Sequence, residues 1–70
     1  MTVEQLENWF QYHAPSADDL AAYYELRNAA KSFATAINNL CPESADKTAA
    51  IRKVREAVMT ANASIACGGK

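Results

Sequence analysis

A single histidine, two cysteines, two glycines and two prolines stand among the seventy residues, and the aromatic residues make up only 9%. One histidine and two distant thiols cannot complete a four-ligand zinc site, so no metal is expected. The scarcity of glycine leaves no phosphate-cradling loop, and the scarcity of both glycine and proline gives little punctuation for a sheet or a loop-rich scaffold. The chain is expected to be helical almost throughout. No stretch approaches the roughly 18 consecutive apolar residues of a membrane span, and the start, MTVEQLENWF, lacks the basic residues and apolar run of a signal peptide. A soluble cytosolic protein without a membrane partner is therefore expected. Seven Lys plus Arg against eight Asp plus Glu leave a net charge of -1, which exerts no general pull on a DNA or RNA polymer. An anion would have to meet a local cluster. Paired carboxylates occur only at a helix start, Asp18 and Asp19, so neither an enzyme nor a cofactor is expected.

Half of the residues are apolar, and they recur at helical spacing. Thr2 with Gln5 three residues later reads as a capping box opening a helix over about residues 3–12, with Leu6, Trp9, Phe10 and His13 along one side. His13-Ala14-Pro15-Ser16 breaks it, because proline disfavours a helical residue before it. Ser16 caps a second helix over 17–40, in which Tyr23, Leu26, Ala30, Phe33, Ile37 and Leu40 form a heptad seam. After the break at Cys41-Pro42-Glu43-Ser44 a third helix over 45–67 carries a matching seam, Ile51, Val54, Val58, Ala61 and Ile65, and stops before Gly68 and Gly69. Two matched seams joined by a short connection predict an antiparallel helical hairpin, all-α, in one domain spanning 1–70. At about 1.5 Å of rise per residue the third helix carries Cys67 roughly 30 Å from Cys41, so the thiols stay free.

One seam between two helices buries too little apolar area to order seventy residues comfortably. Trp9, Phe10, Tyr12, Tyr24, Met59 and the alanine-rich backs of both long helices are left over. Self-association is the expected remedy, and a monomer with the first helix folded over the hairpin is the alternative.

Binding has more material than catalysis. Tyr24, Arg27 and Lys31 follow one another at spacings of three and four on the second helix, with Asn28 beside them. A ring that stacks on a base next to a guanidinium that forks onto a phosphate is the minimum kit for a nucleotide. The plainer alternative is a solvated face in which Glu25 pairs with the nearby bases. Arg52, Lys53 and Arg55 read as solubilising surface. Trp9 and Phe10 are explained as a staple over the hairpin, whereas Tyr12 and His13 fall where polar tips stay exposed, Tyr12 being the better ligand contact. A helix-turn-helix is excluded by the lack of a short recognition helix and a positive face. A helical module that docks a partner helix, with no nucleotide ligand, is the competing class of function.

The segment Asn8-Trp9-Phe10-Gln11-Tyr12-His13, and still more the run SADKTAAIRKVREAVMTANASIACGG from Ser44 to Gly69, resembles the small phage proteins known as anti-CBASS protein two. The resemblance covers nearly the whole chain. It implies a helical hairpin with a short N-terminal helix, assembled as a homohexamer of two interlocked trimers. It further implies a sponge acting in the cytoplasm of the infected bacterial host, which holds cyclic dinucleotides such as cyclic GMP-AMP without cleaving them and so blocks effector activation. Many members also hold cyclic trinucleotides at separate sites. The family's dinucleotide contacts, an aromatic near the end of the first helix and a basic residue midway along the second, map onto Tyr12 and Arg27. Lys31 would add field and Asn28 a bond to a base edge or sugar. The trinucleotide site of the family uses a basic residue close to the C-terminus; here Lys70 is the candidate, and dependence on the position of Gly68 would leave dinucleotides alone.

Overall fold

A computed structural model describes residues 1–70, in three helices: α1 (Val3–Trp9), α2 (Ala17–Leu40) and α3 (Ala45–Ala66). Each begins at a hydroxyl that accepts from the backbone of the first turn. Thr2 and Gln5 exchange both bonds of a capping box at α1, as Ser16 and Asp19 do at α2, and Ser44 accepts from the Lys47 amide at α3. At the other end of α3, Gly69 N–H donates to the Ser64 carbonyl and Gly68 N–H to that of Ile65, a Schellman motif. Both glycines have positive φ, 65° and 76°, which is why glycine stands there.

α2 and α3 pack side by side as the expected hairpin. On α3 all five residues of the expected seam are half-buried, Ile51, Val54, Val58, Ala61 and Ile65. On α2 Tyr23, Leu26, Ala30 and Ile37 are half-buried as expected, but Phe33 and Leu40 lie outside the seam, 61% and 82% exposed. Their departure follows from helical geometry, because a straight helix advances 3.6 residues per turn and a strict heptad drifts around it. Ala34 occupies the level at which the heptad places Phe33, and is half-buried. The only buried residue is Lys47, 8% exposed, whose ammonium reaches the Glu43 carboxylate one turn earlier. No apolar side chain is buried.

α1 ends at Trp9, three residues short of the expected boundary. The next bond of a continuing helix, from the Gln11 amide to the Glu7 carbonyl, is not made. The Asn8 carbonyl, which the Tyr12 amide would use in turn, instead accepts from His13 Nε2–H at 2.6 Å, and Cys67 Sγ–H approaches it at 3.9 Å. Phe10 instead closes the helix by donating to the Leu6 carbonyl, and the chain runs in irregular form to Ser16. α1 is tied to the C-terminal turn of α3 by Asn8 Nδ2, which donates to the Cys67 carbonyl at 3.1 Å, and by Trp9 Nε1, which donates to that of Lys70 at 3.3 Å. Cys41 and Cys67 are both free. The whole is flat, with extents of 45 × 28 × 14 Å, so its third dimension is about the thickness of one helix.

Candidate functional site

Tyr12 stands in the connection between α1 and α2, its ring 83% exposed. The segment carrying it is held on one side by the His13 bond to Asn8 and on the other by the capping box of Ser16. Its phenol therefore projects from a backbone fixed at both ends. The His13 ring is half-buried, with Nε2 engaged and Nδ1 remaining for any other partner. Because a carbonyl only accepts, Nε2 carries the proton.

Tyr24, Arg27, Asn28 and Lys31 are all exposed on α2. The chain's one ion pair is Glu43 with Lys47, so Glu25 does not neutralise Arg27 or Lys31. Arg52, Lys53, Arg55 and Lys70 are likewise without a carboxylate at ion-pair distance. A chain with more carboxylates than cations thus leaves six of its seven basic side chains free for an outside anion. The internal Glu25 pair of the plainer reading is absent, while the face itself is exposed as a solvated surface is.

Arg27 lies about 15 Å of helical rise beyond the start of α2, and no hydrogen bond or ion pair links it to Tyr12. Two cavities, of about 550 and 430 Å³, lie elsewhere. The larger is an apolar groove between α1 and the last turns of α3, lined by Trp9, Phe10, Met59 and Cys67 with Lys70 at its end. The smaller is on α3 beside Arg52 and Lys53. Neither is lined by Tyr12, Tyr24, Arg27 or Lys31.

The chain matches the family described as "Acb2/Tad1, hairpin domain" over residues 2–66, which span α1, α2 and α3 in full. It belongs to that family. The Acb2/Tad1 hairpin proteins are sequestering proteins, and membership supports an anti-defence sponge role. Searches of the curated proteins and of the solved structures return no match. No group of side chains is arranged to hold a metal ion, and no helix is long and apolar enough to cross a membrane.

Asn8 is the residue that sequence reasoning passed over, although it bonds both to His13 and, far along the chain, to Cys67. The available signal was an amide one residue before Trp9 near the end of a short helix, a place where asparagine serves backbone partners more readily than helix propagation.

Proposed function

We propose that this chain sequesters cyclic dinucleotides such as cyclic GMP-AMP, without cleaving them, and thereby keeps CBASS effectors of the infected host inactive. Tyr12 stacks on a purine, and copies of it from neighbouring subunits close over the two-fold ligand. Arg27 forks onto a phosphodiester oxygen while Lys31 adds positive field, Tyr24 a second aromatic face, and Asn28 a bond to a base edge or sugar. The observation that carries this reading is the pairing of a projecting, unpacked Tyr12 with Arg27 and Lys31 that have no internal carboxylate partner.

The parts lie apart within one chain, which supports a homo-oligomer, a homohexamer by family likeness, in which a second copy completes each pocket. A cyclic trinucleotide at a separate place rests on Lys70, the basic group at the C-terminal end of α3. Position 68 itself sits at φ 65°, where a basic side chain would be strained.

Native mass spectrometry with and without cyclic GMP-AMP, followed by heat release and chromatography of the ligand, tests the reading. The expected result is an oligomer taking up about one dinucleotide per two chains and returning it intact. Tyr12→Ala and Arg27→Ala each weaken binding by about 2 kcal/mol or more, with helical content and assembly unchanged. A monomer with no adduct would favour a helix-docking module instead, and a linear product would reveal an enzyme.

A further inference from the structure

Between Met1 and Asp18 only two side chains are sheltered from solvent, and both are polar: Asn8 and His13. The large apolar residues of the same segment, Trp9, Phe10 and Tyr12, are exposed. Packing alone does not attach α1. Among all the side-chain hydrogen bonds, those joining residues more than five apart in sequence are Asn8 and Trp9 donating to α3's terminal carbonyls and Cys67 Sγ donating back to Asn8. Asn8 is the centre of this junction, since its amide holds α3 and its carbonyl holds His13.

We propose that Asn8 and His13 are positioning residues, which fix the backbone beneath Tyr12 before a ligand arrives and couple it to the C-terminal turn of α3. The proposal rests on Tyr12 being the stacking residue of the sponge. It assigns His13 to the support of the site rather than to the ligand. The His13 bond does two things at once. It engages the carbonyl that the Tyr12 amide would use in a continuing helix, and it anchors the residue next to Tyr12. With Ser16 and Asp19 locked together a few residues later, part of the backbone freedom that binding would otherwise remove around Tyr12 is already removed.

The test compares wild type with His13→Ala, His13→Gln and Asn8→Ala by calorimetry with cyclic GMP-AMP, alongside amide hydrogen exchange. His13→Ala is expected to weaken binding by about ten-fold and to speed exchange of the Phe10 amide, the one between residues 10 and 15 that is hydrogen-bonded, with α2 and α3 exchange unchanged. His13→Gln supplies an amide donor and recovers most of the affinity. Asn8→Ala adds a red shift of Trp9 fluorescence and faster alkylation of Cys67. If His13→Ala changes neither affinity nor exchange while Tyr12→Ala abolishes binding, the positioning role is wrong and the sponge stands. If wild type takes up no cyclic dinucleotide, the sponge reading itself fails, and the positioning role given to Asn8 and His13 fails with it.

Discussion

Arg27 is exposed, unpaired and flanked one turn away by Lys31, so charge alone is in good supply at this face. What arginine adds in the proposed site is geometry, a planar fork that meets two phosphate oxygens. Arg27→Lys keeps the charge and removes the fork; calorimetry with cyclic GMP-AMP is expected to show a loss of about 1–2 kcal/mol, less than for Arg27→Ala. An equal loss in both variants would show that the fork, and not the charge, carries the contact. The exposure of Tyr12 and Arg27 was legible in the sequence, because a place near a helix end and a place off the apolar seam suffice to suggest it. The Asn8–His13 bond was not, because it depends on which carbonyl is left open where α1 stops. Lys47 escaped notice for a related reason: a seam read from apolar letters has no place for lysine, yet its long stem can cover apolar surface while the ammonium turns to Glu43.

At the scale of elements the starts of helices were easier to read than the ends. Thr2, Ser16 and Ser44 each declare a helix start by a hydroxyl at the right distance from the first turn, and all three caps form. The end of α1 has no such local mark; past Trp9 the chain turns irregular and the Asn8 carbonyl is taken up by the His13 ring. Phe33 departs from its heptad because period 3.5 and period 3.6 diverge over the length of α2, a distinction that three repeats of sequence barely resolve. The Ser16 cap has weight beyond its own helix, since it anchors one side of the segment bearing Tyr12. Ser16→Ala removes the oxygen that accepts from the Asp19 amide at 3.1 Å. It should cost about 1 kcal/mol, read as a lower midpoint in denaturant, with faster exchange confined to the first turn of α2 and the preceding connection.

Taken whole, the chain is too open for its mass. Its surface is 5661 Å², against about 4,300 Å² for a compact monomer of this size. Its radius of gyration is 15.1 Å, against about 11 Å for seventy residues folded into a ball. No apolar side chain is buried, and Asn62 Oδ1 is shut away from solvent without a donor, which weakens the lone hairpin further. The surplus of about 1,400 Å² is close to two interfaces of about 800 Å² per partner, so the arithmetic favours an assembly in which each chain meets more than one neighbour. The groove at Trp9, Phe10 and Met59 is apolar, and Phe10 is 83% exposed there. Folding and association should then be one transition, with a melting temperature that rises with protein concentration. Phe10→Glu places a charge in that surface and is expected to shift sedimentation toward smaller species and to flatten the concentration dependence. Wild-type protein that sediments as a monomer and melts at the same temperature across a hundred-fold range of concentration would sink the assembly. It would also leave Tyr12 and Arg27 without the second copy needed to enclose a ligand, so the oligomeric state and the sponge are tested together.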